Sequence, residues 1–247
     1  MGPPAYDADV PDPAPAPQAT RPTTPAERLE WRPQEARRPQ RVPTIADPII
    51  EPAWAGIHVL AHFDAAAGDA FGPWLMLLDE GGEDATGSEP AATKALAEAV
   101  LAGDAVIDGW LSEQASHTGE GASIATTYKP NPFSFITGRP GHLEVPALPH
   151  QAEVHTVAFV AVDLLRVDGE ELLEVPLLER KRILESVLRS GELVRVTPFT
   201  RPPLSPWLVS WQASGFHGAL LKGANGHYEP GAIAPDWAYV AAIEGKR

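Results

Sequence analysis

The side chains of this chain that could do chemistry are few. Its 247 residues include eight histidines, five lysines and no cysteine, which excludes a thiolate metal site, an iron–sulfur cluster and a cysteine nucleophile. His58 and His62 lie four residues apart on a predicted strand and could share a face, but a metal ion needs at least a third ligand. Gly119 and Gly121 lack the third glycine of a dinucleotide site. The sequence also lacks the motifs of phosphate-binding loops, serine hydrolases and zinc proteases, and we assign no metal site.

A more specific signal is the order of several short segments along the chain. The longest is VAVDLLRVDGEELLEVPLLERKRILESVL at residues 160–188. It is preceded by EPAWAGIHV at 51–59 and DAVIDGWL at 104–111, and followed by GFHGALLKGANGHYEPG at 215–231 and by Asp236-Trp237. In this order and spacing, the segments resemble the motifs of the adenylation (nucleotidyltransferase) domain of ATP-dependent DNA ligases. The resemblance extends from residue 51 to about residue 243.

The resemblance implies both a fold and a chemistry. The fold is α+β, a ligase-like nucleotidyltransferase (ATP-grasp-like) domain with antiparallel sheets flanked by helices. In the family, a lysine of the first motif attacks the α-phosphate of ATP and forms a covalent lysyl-AMP. ATP and magnesium are therefore implied as cofactors by the resemblance alone. By their positions in the motifs, Glu51, Trp54, Gly56 and Lys222 are expected at the nucleotide-binding site.

The positions that carry the chemistry of the family differ in this chain. The nucleophilic lysine is replaced by Ala53, so no catalytic residue is assigned. Further charged positions of the family motifs are occupied here by Ala55, His58, Trp110, His217, Tyr239 and Ala241. Lys222 is the charged motif residue that clearly remains. These substitutions predict an adenylation domain that has kept its fold and lost its catalytic activity.

The other lysines are poorly placed to replace the missing nucleophile. Lys94 and Lys181 fall on helix positions that are predicted to face solvent. Lys129 lies in a long predicted loop and Lys246 lies in the terminal residues. Lys222 could in principle react, but on this alignment it approaches the phosphates from a different strand.

Hydrophobic periodicity predicts the elements that must position these residues. Strands are expected at 56–63, 73–78, 104–111, 154–166, 192–196, 219–222 and 237–243, and helices at 88–102, 176–190 and 205–214. Asp168-Gly169 predicts a hairpin turn. Glycines and prolines in residues 113–152 predict a long loop. Strands outnumber helices and do not alternate regularly with them, which favours an α+β domain.

Prolines and charges divide the chain into two regions. Thirteen of the 27 prolines lie in residues 1–52, and residues 1–45 show no apolar periodicity. We therefore predict a disordered Pro-rich arm at 1–45 and a folded domain at 46–247. The arm holds six basic and six acidic residues, which leaves 13 basic and 27 acidic residues in the domain. So acidic a domain is not expected to bind nucleic acid strongly.

The sequence contains no segment that indicates a membrane or secretion. No apolar run approaches the roughly 18 residues of a membrane span, and the N-terminus lacks a signal-peptide pattern. We therefore expect a cytoplasmic protein. Because the resemblance ends at the last predicted strand, we also expect no oligonucleotide-binding (OB-fold) domain, and no complete nick-sealing cycle by this chain alone.

Three functions are compatible with these features. The substitutions agree best with a DNA-ligase-like adenylation domain that is catalytically inactive and retained as a binding or scaffolding module for an unidentified partner. The first alternative is an ATP-dependent DNA ligase with residual activity in DNA repair, using Lys222 or a partner chain. The second is noncovalent ATP binding in a pocket formed by Trp54, Trp110 and Lys222. A covalent AMP adduct would favour the enzyme, and saturable ATP binding without an adduct would favour the noncovalent site.

Overall fold

A computed structural model describes residues 25–70, 72–113 and 156–242 of the chain. The loop predicted at 113–152 lies outside the described residues apart from residue 113, as do Lys129 and Lys246. Residues 1–24 of the predicted arm also lie outside them.

Within these ranges the chain forms short helices and two sheets. In chain order the elements are α1 (Pro25–Arg28), β1 (Glu35–Arg37), β2 (Pro48–Pro52), β3 (Ile57–Asp69), β4 (Gly72–Asp79), α2 (Pro90–Ala99), β5 (Asp104–Ser112), β6 (Ala158–Val167), β7 (Glu170–Glu171), α3 (Leu177–Val187), β8 (Val194–Val196), α4 (Leu204–Ala213), β9 (Gly218–Gly223) and β10 (Ile233–Ala241). Every helix and strand predicted from the sequence is present, with its ends shifted by a few residues.

The larger sheet has the strand order β4-β3-β5-β6-β7, and β8 pairs with β6. Alternate residues of β3 point to its two faces. On one face, Val59 and Phe63 pack in a hydrophobic core with Leu96 of α2 and Leu184 of α3. The other face carries His58, Leu60 and His62. The long strands thus place the two histidines on the side of the sheet opposite α2 and α3.

The predicted hairpin turn joins β6 to β7. Asp168 and Gly169 both have positive φ values, 45° and 88°, which is the backbone that a two-residue type I′ turn requires. The turn lets β7 pair with the end of β6. This prediction is confirmed.

The smaller sheet faces the side of the larger sheet that carries the histidines. Its strand order is β1-β10-β9-β2. Trp237 of β10 and the buried Tyr228 pack against Leu60 of β3 and Leu165 of β6. The pairings are antiparallel except for β1 with β10 and β6 with β8, which are parallel. The predicted α+β class with antiparallel sheets flanked by helices is confirmed.

Strand β2 was not among the predicted strands. It contains two fully buried isoleucines, Ile49 and Ile50, between Pro48 and Pro52. Prolines cannot donate hydrogen bonds within a sheet and usually argue against a strand. β2 accommodates them because they lie at its ends and because β2 is an edge strand of the smaller sheet, paired with β9 on one side and with Thr200, through Ile50, on the other.

Residues 25–45 correct the predicted boundary of the arm. Trp31, Gln34 and Ile45 are buried, and the Glu35 N–H donates a hydrogen bond to the Ala232 carbonyl (2.9 Å). The predicted disordered segment therefore extends too far along the chain. A few large apolar residues and backbone pairing with β10 hold this segment, and neither produces a periodic pattern in the sequence.

None of the helices in the described residues is long and apolar enough to cross a membrane.

Candidate functional site

A cavity of about 140 Å³ lies between the two sheets. Both sheets and the segment before β2 contribute to its walls. The lining residues are Gln34, Glu35, Ala36, Arg38, Ala53, Trp54, His58, Glu80, Asp108, Trp110, Val162, Leu220, Lys222, Trp237 and Tyr239. The cavity is smaller than the roughly 300–1,000 Å³ of typical small-molecule sites. Many of the positions selected from the sequence therefore surround one small cavity.

Ala53 and Trp54 line the cavity directly after β2. The Ala53 N–H donates to the Gly218 carbonyl (3.1 Å) and ties this turn to β9. The indole N–H of Trp54 donates to Thr197 Oγ1 (2.8 Å), and its ring meets Phe216 edge to face. Trp54 is thus fixed in the core, with its polar atom already in use.

Glu51 lies deeper than Ala53 and holds two lysines. Its carboxylate is fully buried and contacts Lys222 Nζ at 3.0 Å and Lys181 Nζ at 2.5 Å. The Lys181 ammonium also donates to the Val162 carbonyl (2.8 Å). Burial lowers the pKa of Lys181, and the adjacent Glu51 opposes that shift. Both lysine side chains are at most 2% exposed, so this cluster belongs to the protein interior.

Lys181 contradicts the prediction that it faces solvent. Helix α3 turns it towards the sheet, together with its neighbour Arg180, which pairs with the buried Asp163 through two hydrogen bonds of 2.7 and 2.8 Å. Two adjacent buried cations obscure the apolar stripe by which a helix face is recognised in a sequence. Lys94, by contrast, has a side chain that is 80% exposed, as predicted.

His58 occupies the other wall of the cavity. Its imidazole contacts Asp108 Oδ1 (2.7 Å) and Glu80 Oε1 (3.0 Å) and stacks on the Trp110 ring, with centroids 4.3 Å apart and planes 6° from parallel. Burial disfavours the charged imidazole, but Asp108 and Glu80 outweigh this effect and raise the pKa of His58 to about 9. Tyr228 Oη donates to the other Asp108 oxygen (2.7 Å). His58 is therefore a cation already engaged by two carboxylates.

His62 does not join His58 in a metal site. It lies four residues further along β3, where its Nε2 is buried without a hydrogen-bond partner. Burial, aided by the charges of Arg28 and Arg32, lowers the pKa of His62 to about 4. Among the described residues, no group of three or more His, Asp or Glu side chains could hold a metal ion.

Strand β10 supplies the third wall. Lys222 Nζ lies 3.9 Å from the ring centroid of Trp237, and the Arg38 guanidinium lies 5.0 Å from that of Tyr239. Tyr239 Oη donates to the His217 carbonyl (3.1 Å). Aromatic rings of this wall are thus already covered by cations of the protein itself.

Comparison with known proteins gives a consistent family. The model of the ATP dependent DNA ligase domain matches residues 81–240. The chain belongs to this DNA ligase family. The matched region contains β5, β6, β9 and β10. These strands supply the cavity residues Asp108, Lys222 and Tyr239, among others.

The individual relatives are distant. A DNA ligase of Natronomonas pharaonis is 28% identical over 193 residues, which cover 76% of this chain and 31% of the relative. A probable DNA ligase of Beutenbergia cavernae is 25% identical over 182 residues, with 74% and 31% covered. The chain thus spans about a third of the length of these relatives.

Solved structures support the fold. The ligase domain of M. tuberculosis LigD has a TM-score of 0.55 at 21% identity, covering 86% of this chain and 60% of that one. A mycobacterial DNA ligase D complexed with ATP and MES gives the same TM-score and coverage at 19% identity. The protein therefore has the fold of a DNA ligase adenylation domain.

The structure brings together some of the residues expected at the nucleotide site. Trp54 and Lys222 line the cavity, and Glu51 lies behind them as the partner of Lys222. Gly56 does not line it. Its φ is +130°, and a Cβ there would lie 2.0 Å from the Leu111 carbonyl oxygen, so the backbone of the DNA ligase motif requires glycine at this position.

Sequence reasoning missed the cavity residues outside the motifs. Gln34, Arg38 and Glu80 line the cavity, yet the first two lie in the predicted arm and Glu80 follows β4 in an acidic turn. The Gln34 N–H donates to Tyr228 Oη (2.8 Å), so this segment is bound to the same tyrosine that contacts Asp108. No local pattern in the sequence identifies these residues.

Proposed function

We propose that this DNA ligase adenylation domain forms no lysyl-AMP and is retained as a binding module. The observation that carries the proposal is Ala53, which lies on the wall of the cavity at the position of the nucleophilic lysine. A methyl group cannot attack phosphorus, and covalent transfer needs a nucleophile held in line with the leaving group.

The described lysines do not replace the missing amine. Lys222 is 1% exposed and bound to Glu51, and Lys181 shares the same carboxylate. Freeing either amine would leave a buried carboxylate with fewer partners, which is costly. Lys94 is exposed on α2, and α2 contributes no residue to the cavity.

The residues present do not fit ATP with magnesium. Of the three carboxylates that line the cavity, Glu35, Glu80 and Asp108, the last two are engaged by His58. The described residues contain no cluster that could hold a metal ion. Trp110 and Tyr239 present aromatic rings at positions that are charged in the family motifs. Charge stabilisation supplies most of the rate in phosphoryl-type transfer, so we derive no catalytic step for this cavity.

Isotope exchange between pyrophosphate and ATP tests the proposal. Any enzyme that forms an adenylate reversibly incorporates labelled pyrophosphate into ATP. We expect exchange at the level of the buffer for the full chain with ATP and magnesium, while an active DNA ligase assayed beside it exchanges readily. Exchange above that level, abolished by Lys222→Ala, would replace the proposal with residual ligase activity. Sealing of nicked DNA would extend that activity to DNA repair.

We propose that this binding module binds a small molecule noncovalently in the cavity. Trp54, Trp110 and Trp237 still surround a space between the sheets, rather than a collapsed core. Wall residues of this kind, with a few polar groups among them, are typical of ligand sites. A cysteine-free binding module of this kind would work in the cytoplasm.

A further inference from the structure

The cations that line the cavity are compensated by the protein itself. Lys222 is bound to Glu51 at 3.0 Å, and His58 lies between Asp108 and Glu80 at 2.7 and 3.0 Å. Arg38 is exposed at the mouth, where it covers the ring of Tyr239. Two of the three cations, Lys222 and His58, already have carboxylate partners, and an incoming phosphate would have to compete with those carboxylates.

The carboxylates of the lining add a repulsive contribution. Glu35, Glu80 and Asp108 all line the cavity, against the positive charges of Lys222, His58 and Arg38. Behind the lining, Glu51 contacts Lys222 and also Lys181, so carboxylates and cations are equal in number and the space has no excess positive charge to attract a phosphate. Specificity arises as much from repelling the wrong ligand as from attracting the right one.

The remaining surface suits an aromatic ligand. Trp110 and Tyr239 are partly exposed at the cavity. His58 stacks on the Trp110 ring and Arg38 covers the Tyr239 ring, which leaves at most one face of each ring for a ligand. Ala53 and Val162 contribute small side chains to the wall. The small volume of about 140 Å³ favours a ring system over an extended triphosphate.

We propose that the cavity selects a small planar aromatic molecule without negative charge, a nucleoside or free base in preference to a nucleotide. This inference rests on the proposed function, in which the cavity binds a ligand and transfers no nucleotidyl group. It reverses the charge preference that a site for ATP requires.

A series of ligands that differ only in phosphate number tests this selectivity. Adenosine, AMP and ATP are titrated into the full chain without magnesium, and binding is followed by the fluorescence of the cavity tryptophans. We expect affinity to fall with each phosphate, so that ATP binds at least roughly tenfold more weakly than adenosine, and we expect added salt to narrow the difference. ATP binding as tightly as adenosine, or no binding by any of the three, would overturn the inference.

Two matched variants locate the repulsion. Glu80→Gln removes a cavity carboxylate, and Glu83→Gln removes the same charge from an exposed neighbour that does not line the cavity. We expect Glu80→Gln to raise the affinity for ATP relative to adenosine by roughly threefold, and Glu83→Gln to leave the ratio unchanged. Equal effects of the two variants would assign the preference to the net charge of the protein and overturn the role of the cavity.

The two proposals fail by different measurements. Pyrophosphate exchange would overturn the loss of nucleotidyl transfer, whatever the order of affinities. A preference for ATP without exchange would overturn the selectivity and leave the noncatalytic binding module in place.

Discussion

Ala53 and Lys222 lie on the same cavity and differ in what surrounds them. The Ala53 backbone is tied to Gly218, whereas the Lys222 ammonium is bound to Glu51. Ala53→Lys would restore an amine at the position of the family nucleophile. We expect no AMP adduct from this variant, because Trp110, Tyr239 and Ala241 still lack the charges that clamp a triphosphate. Intact mass spectrometry of the variant, after incubation with ATP and magnesium, would detect an AMP adduct.

An adduct on Ala53→Lys would show that one substitution alone silenced the domain. Lys222→Ala in the Ala53→Lys background serves as its control. If an adduct forms and survives this second change, the amine at position 53 is the nucleophile and the remaining cavity is still competent.

Because of His58, we expect the free energy of unfolding to fall at alkaline pH. Its folded pKa of about 9 lies above the value of about 6.5 for an unfolded histidine. The charged imidazole therefore stabilises the fold fully below about pH 6.5, and this contribution of at most about 3 kcal/mol is lost as the pH rises through about 9. Urea unfolding across this range should show the decline.

His58→Gln separates this effect from other titrations. His62, with a folded pKa of about 4, is neutral in both states above about pH 6.5 and does not contribute to the decline. We expect the variant to be less stable than the natural chain near neutral pH and to lose less stability on alkalinisation. Parallel pH profiles for the two proteins would contradict the ion pair with Asp108 and Glu80.

The turn between β2 and β3 requires a glycine for reasons of space. Gly56 combines a φ of +130° with a Cβ position that overlaps the Leu111 carbonyl. We expect Gly56→Ala to lower the free energy of unfolding by about 2 kcal/mol or more. Gly191→Ala is the control, because nothing lies within 4 Å of its Cβ position. Equal stability of the two variants in urea would show that β3 does not approach β5 as described.

The segment before β2 packs against the sheets, and we expect it to contribute measurably to the stability of the domain. Trp31 is buried among residues of both sheets, so Trp31→Ala should destabilise the protein by about 3 kcal/mol. Val42→Ala, at an exposed position of the same segment, should change stability by less than about 0.5 kcal/mol. Thermal or urea unfolding compares the stability of the two variants. If Trp31→Ala were as stable as the natural chain, residues 25–45 would not be packed against the sheets and would belong to the predicted disordered arm.

Elements were predictable where a local pattern determines them. β3 and β6 have strong apolar character, and the Asp168-Gly169 turn has a specific backbone requirement. β1 was not predictable, because it has three residues and exists through pairing with β10 about 200 positions later. The buried face of α3 was obscured by Arg180 and Lys181, whose partners Asp163 and Glu51 lie on other strands.

For the molecule as a whole, the family and the fold could be predicted from the ordered motifs, which the sequence carries directly. The electrostatic state of the cavity could not. Whether Lys222 is free or bound depends on Glu51, and whether His58 is charged depends on Asp108 and Glu80. Those pairs are set by tertiary packing between sheets, which motif positions do not describe.

Intact mass spectrometry of the natural chain after incubation with ATP and magnesium tests the loss of nucleotidyl transfer most directly. A second sample receives pyrophosphate, which reverses a true adenylate. We predict one unmodified mass in both samples. A mass increased by one AMP, and restored by pyrophosphate, would show that another amine has replaced the lysine absent at Ala53, and that the domain is an active nucleotidyltransferase.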